Sequence, residues 1–185
     1  MSEASTQALT VIGGIAIHRF ACMNPTALKD AAASIELYLN DPKYTHVGLA
    51  IELCSKGFTT WQTYLDPMDL LRRLFYLATH KDSSLPNAAS VAAQARLAVL
   101  NVASSNAPLF MSTLSQDIMD AKTVDDRTAV MKLCVFMARR RPALLENGLP
   151  RICEAVVKSL DPNVGKMRDD VWQAATVILN ELVSA

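Results

Sequence analysis

The sequence predicts an all-α chain: about ten helices, paired into hairpins and stacked as a right-handed α-solenoid, with no sheet. Three observations lead there. Apolar residues recur at the three-to-four-residue spacing of amphipathic helices almost throughout. Alternating β-branched runs closed by Asn-Gly or Asp-Gly turns are missing. And one proline-containing bend returns along the chain, as Ala21 to Leu28, Ala138 to Leu145 and, more loosely, Ala103 to Phe110.

Taken in order, the first helix is expected from about Ser5 to Phe20. Gly13-Gly14 weakens it by about 1 kcal/mol per glycine relative to alanine, and Met23-Asn24-Pro25 ends it. Thr26 begins a second helix to Leu39, with Leu28, Ile35, Leu37 and Leu39 as its apolar positions, stopped by Asn40-Asp41-Pro42. Thr45 to Ser55 makes a third, closed near Lys56-Gly57 by a glycine in a left-handed cap. Thr59-Thr60-Trp61-Gln62 begins a short separate piece. Asp66-Pro67 restarts the chain, Asp as N-cap and Pro at the first helical position. That helix carries Met68, Leu71, Leu74, Phe75 and Leu77, and His80 to Asn87 follows as a polar loop.

Ala88 to Ser104 is alanine-rich and helical, and Pro108 opens the next helix, to about Ala121. Thr123-Val124-Asp125-Asp126 starts another with acid at the positive end of the helix dipole; Arg139-Arg140-Arg141 closes it with base at the negative end, before Pro142. A short helix reaches Asn147-Gly148, Pro150 starts one through Leu160, and Asp161-Pro162-Asn163 breaks it. A last helix runs from about Lys166, its apolar positions (Val171, Trp172, Ala175, Ile178, Leu179, Leu182) wanting a neighbour. Each copy of the bend reads as helix end, proline, helix start. A unit of roughly 35–45 residues accommodates them, as in HEAT or armadillo arrays. Such hairpins cannot bury their apolar faces alone and must stack. The span 1–185 is expected to be one solenoid segment, either cut from a longer protein or ended by a capping helix.

Composition narrows the function. The 185 residues include 18 Lys+Arg against 18 Asp+Glu, and zero net charge argues against a dedicated nucleic-acid binder, whose footprint would be basic. At 51% hydrophobic and 19% charged the chain can build a core. Cys22, Cys54, Cys134 and Cys153 include no Cys-x-x-Cys pair and read as reduced, buried thiols of a cytosolic protein. The N-terminus lacks the basic region of a signal peptide, and the stretch Ala8 to Ala16 is too short to span a membrane.

No catalytic constellation is expected, and no metal or cofactor. His18 and Cys22 are four apart on one helix face, but two ligands do not make a site. His46 and His80 fall at helix ends, suited to caps or solvent contacts. Cys134, inside Leu133-Cys134-Val135-Phe136, is too apolar in its surroundings to be a nucleophile. Asp125-Asp126 and Asp169-Asp170 point about 100° apart on a helix and cannot act as a dyad. Gly-x-Ser-x-Gly, Walker and His-Glu-x-x-His sequences are absent. What remains are two basic clusters as candidate partner contacts: Arg139, Arg140 and Arg141 with Lys132 and Arg127, and Arg72 with Arg73. Gly57, Phe58, Trp61, Pro142, Pro162 and Trp172 are the expected structural anchors, both Trp as core residues.

Three stretches together carry a resemblance. They are Ala50 to Trp61 (AIELCSKGFTTW) with Tyr64-Leu65-Asp66 and the helix Leu70 to Ala78; Ala95 to Leu100 with Ala107 to Phe110; and Val156 to Asn163 leading into the last helix. The chain from about Ile35 to Ala185 resembles the helical region of the rabconnectin-3 β-subunit family of WD-repeat proteins, Gly57-Phe58-Thr59-x-Trp61 being the most specific piece. The resemblance implies a HEAT/armadillo-like segment carried between propellers of the same chain. It implies a non-enzymatic scaffold acting with the rabconnectin-3 α subunit on the vacuolar proton-pumping ATPase, cytoplasmic and peripheral on endomembranes through its partners. An unrelated HEAT/armadillo-type trafficking adaptor, binding peptides or a partner helix, is the alternative.

Overall fold

The structure is a computed structural model and describes residues 24–40, 44–79, 87–159 and 168–184. Among the described residues there are nine helices and no strand. They are α1 (Pro25–Leu39), α2 (Tyr44–Trp61), α3 (Pro67–Thr79), α4 (Ala88–Ser105), α5 (Ala107–Asp120), α6 (Val124–Arg140), α7 (Ala143–Glu146), α8 (Leu149–Ser159) and α9 (Arg168–Ser184). The helix expected over 5–20 and the loop at 80–86 lie outside the described residues, as do Pro162 and the side chain of Trp172.

Helix starts follow local chemistry. The Asn24 side chain accepts the Thr26 N–H with Pro25 at the first position. Asp66 Oδ1 accepts the N–H groups of Met68 and Asp69 at 2.9 and 3.1 Å. The Asn106 side chain accepts from Leu109 N. Thr123 and Asp126 cap α6 reciprocally: the Asp126 N–H donates to Thr123 Oγ1, and the Thr123 hydroxyl donates to Asp126 Oδ2. Pro142, the expected anchor of the later bend, is exposed and sits at the N-cap of the four-residue α7 with no side-chain cap bond. Its contribution is the turn itself.

One cap differs from expectation. The helical conformation is interrupted at Gly57, as expected, but its φ of −124° is not left-handed. The interruption is a kink within Tyr44–Trp61, and a short helical piece continues beyond it to Trp61. The reason is tertiary: the turn beyond the kink buries Phe58 and Trp61. The Trp61 indole N–H donates at 3.0 Å to the carbonyl of Leu53, four residues before Gly57, which a regular helix would pair with the Gly57 N–H.

The chain divides into two compact units, Met1–Ser105 and Asn106–Ala185. In the first, α1 packs on α2, and α4 packs on both α2 and α3. This is a pair of hairpins, α1–α2 and α3–α4, with second helix against second helix. Ala92, Ala95, Ala98 and Ala103 are buried on α4 among Val91, Val99 and Val102, so the helix offers small residues to both neighbours. Asn101 Nδ2 adds a 2.7 Å bond to Ser55 Oγ. The two first helices are joined at Arg73, whose Nε donates to Leu39 O at 2.9 Å.

The second unit repeats the scheme in full. Hairpins α5–α6 and α8–α9 stack with α5 on α8 and α6 on α9. The second hairpin begins roughly forty residues after the first, inside the unit length of helical arrays. The α5–α8 approach is close: a Cβ at Gly148 would lie 1.9 Å from Met111 Cε and 2.8 Å from its Cγ.

Arg127 holds this unit together. Only 2% of its surface is exposed. Its Nη2 donates to Met119 O and Ala121 O at the end of α5, and its Nη1 donates to Ser159 O at the end of α8. These carbonyls are the negative ends of two helix dipoles, so they replace the missing carboxylate. Nε is buried without a hydrogen bond. Burial lowers the Arg127 pKa from its ordinary value, but a guanidinium retains its charge at neutral pH.

Two stability measurements by urea unfolding check this account. Trp61→Ala is expected to cost about 3–5 kcal/mol, and Trp61→Phe, which orphans the Leu53 carbonyl, about 1–3 kcal/mol; no loss in Trp61→Ala would place the ring outside the core. Arg127→Met is expected to destabilise by about 2–4 kcal/mol, because each charge-assisted bond to a helix end contributes about 1.5–3 kcal/mol. A neutral or stabilising result would show that the desolvation of the guanidinium outweighs its three bonds.

Candidate functional site

The chemistry-bearing residues separate into those spent on structure and those presented outward. The thiols belong to the first group. Cys54 and Cys134 are fully buried, and Cys153 is partly so. Burial pushes the Cys54 thiol up to about 12. Burial also raises Cys134 well above a free thiol, against a smaller opposing effect of a backbone hydrogen bond. Neither is a thiolate at neutral pH. Cys22 and His18 lie outside the described residues, as does His80. His46, in the first turn of α2, stacks on the buried Tyr38 ring of α1, centroids 4.7 Å apart. Asp126 is spent on its cap. Asp169 and Asp170 fall in the first turn of α9, their side chains outside the description. Among the described residues, no group of three or more His, Cys, Asp or Glu is placed to hold a metal ion, and no helix is long and apolar enough to cross a membrane.

The larger basic cluster is smaller than the sequence suggests. Arg127 leaves it for the interior. Nothing in the local string Asp125-Asp126-Arg127 signals that, because the acceptors are helix ends contributed from elsewhere in the chain. Arg139 pairs with Glu181 of α9, Nη2 to Oε1 at 2.6 Å, both side chains reaching solvent. The hydrogen bond and the charge of Glu181 raise the Arg139 pKa, and the bond from Arg139 lowers that of Glu181. A carboxylate lowered in this way loses the pairing as pH falls through its folded value, so the tie holds α9 to α6 at neutral pH and is released by acid. Arg140 lies 6.0 Å above the Phe136 ring. Arg140 and Arg141 are exposed at the C-terminal end of α6, and Lys132, two turns earlier, is exposed as well, so the four make a basic ridge along its second half.

Arg72 and Arg73 belong to a different setting. They line a pocket of about 370 Å³ in the first unit, between the end of α1, the α2–α3 turn and α3. Leu39, Leu65 and Leu70 give it apolar walls, and Glu36, Asn40, Asp66, Asp69 and Tyr76 are the other lining residues. Arg73 is fixed twice: by its Nε bond to Leu39 O, and by stacking 5.1 Å from the Tyr76 ring centroid. Arg72 approaches Asp69 at 4.0 Å, one turn along the same exposed helix face. Sequence reasoning singled out the Arg pair but missed Tyr76, Glu36 and the leucines, which come together from three separate stretches. The only signal present was Tyr76 itself, an aromatic three residues after Arg73.

The expected anchors divide likewise. Phe58 and Trp61 are core residues, and Gly57 is the kink that turns them inward. No protein-family model matches the chain, and no curated protein or solved structure matches it.

Thiol labelling checks the burial pattern. In a Cys22→Ser background, iodoacetamide at neutral pH is expected to modify Cys153 first, with Cys54 and Cys134 protected until denaturant is added. Rapid native labelling of Cys54 or Cys134, read by mass spectrometry, would contradict their enclosure.

Proposed function

We propose that the chain is a non-enzymatic scaffold segment, a right-handed HEAT/armadillo-like solenoid resembling the helical region of the rabconnectin-3 β subunit. On this reading it is cytoplasmic and peripheral on endomembranes, carried between propellers of a longer WD-repeat protein. It serves the assembly or regulation of the vacuolar proton-pumping ATPase together with the rabconnectin-3 α subunit. The observation that supports it most is the stacking in the second unit, where like helices of successive hairpins meet, α5 on α8 and α6 on α9. The use of Gly57, Phe58 and Trp61 as a packing device also suits a motif that marks a fold rather than a reaction.

The second reading, a peptide- or helix-binding adaptor of the same architecture, is favoured by the pocket around Arg73 and Tyr76. A binding assay with purified proteins separates the two. The immobilised chain is expected to retain rabconnectin-3 α subunit or ATPase subunits from a defined mixture. Charge reversal at Arg139, Arg140 and Arg141 is expected to weaken retention at least several-fold if the ridge is used. Failure to retain any of them would remove the proton-pump assignment and leave the adaptor.

A further inference from the structure

We infer that the pocket between α1 and α3 receives a mixed-charge pair of side chains from a protein partner: a carboxylate on the Arg73 guanidinium, with a basic residue about one helical turn away facing Glu36 and Asp69. This rests on the scaffold reading and gives one of its faces a partner chemistry.

Arg73 is the centre. Its Nε is committed to Leu39 O and its plane to Tyr76. Its two Nη groups make no hydrogen bond among the described residues, so a planar fork is held in place with donors to spare. A fork already oriented loses little freedom on binding, and its geometry matches a carboxylate in two-point contact.

The surroundings select among anions. Glu36, Asp66 and Asp69 place three carboxylates around two guanidiniums. Asp66 is fixed by two backbone N–H groups and Asp69 lies beside Arg72, but Glu36 enters no ion pair among the described residues. A phosphate or an anionic lipid surface brings more negative charge into a rim already in negative excess. A single carboxylate with a cation beside it satisfies Arg73 and Glu36 together. The leucine walls accept the methylene stems of the two side chains. At about 370 Å³ the pocket is near the lower end of ligand sites, about 300–1,000 Å³, and suits side chains rather than a folded element.

The probe is a short helical peptide of alanine and leucine carrying one glutamate and one lysine a single turn apart, titrated into isotope-labelled chain by NMR. Saturable shifts at the Arg73 Nε–H and the Tyr76 ring are expected. The peptide with glutamine for glutamate, or Arg73→Met protein, is expected to bind roughly tenfold or more weakly. Glu36→Lys, at an exposed position, leaves the fold intact and is expected to reverse the preference toward a peptide with two glutamates. Stronger shifts with inorganic phosphate or phosphatidylserine vesicles than with the peptide would overturn the inference, as would no shift at millimolar peptide. Should Arg73→Met unfold the unit, the Glu36→Lys reversal alone decides. Retention of the rabconnectin-3 α subunit by a variant that no longer binds peptide would overturn the pocket assignment and leave the scaffold reading standing; peptide binding without such retention would do the opposite.

Discussion

A cation buried without an anion sets the terms for the second unit. Placing Arg127 in the interior is costly, and it is tolerated because three carbonyls at the ends of α5 and α8 face it. Those carbonyls exist as a cluster only when the two hairpins are stacked in register. The side chain therefore couples local helix formation to the stacking of one hairpin on the next. Arg73 plays a lighter version of the same part in the first unit, binding the terminal carbonyl of α1 while half-buried. In both cases the helix dipole supplies the counter-charge, so the stack is tied by arginine without sacrificing a carboxylate.

The same economy explains where interaction chemistry is left. Capping consumes Asp66 and Asp126, burial silences Cys54 and Cys134, and Tyr38 takes up His46. Among the described residues, the outward features include the basic ridge along the second half of α6 and the mixed-charge pocket beside Arg73. They differ in kind. The ridge is exposed and partly neutralised by Glu181, and surface pairs of that sort contribute little to stability. The pocket is concave and holds an oriented guanidinium.

Much of the helix pattern was legible because it is written locally. Asn24-Pro25, Asp66-Pro67 and Thr123 to Asp126 announce helix starts through bonds that span two or three residues, and the observed caps use those atoms. The all-α class followed from periodicity together with the missing strand and turn signals. At Gly57 the interruption was legible but its form was not, because a glycine after a polar pair signals a left-handed cap and a kink alike. The burial of Phe58 and Trp61 beyond it favours the kink. Arg127 was misplaced for a related reason: beside two aspartates it resembles a surface residue, and its acceptors lie up to 32 positions away. The pocket was legible only in its arginines, since its walls are assembled from residues 36–40, 65–66 and 69–76.

The alanines of α4 carry an implication for how such a chain can diverge. Ala92, Ala95, Ala98 and Ala103 are buried on a helix that packs against two others, and interiors have little spare volume. A larger side chain at any of them overpacks the interior, at a cost of about 1–3 kcal/mol, whereas Ala93 and Leu97 on the exposed side are free to change. Over evolutionary time the helix should drift on one face only. Its inner face should exchange alanine for little beyond glycine, serine or cysteine, and this one-sided conservatism would mark the helix in distant relatives after the motif around Trp61 had faded.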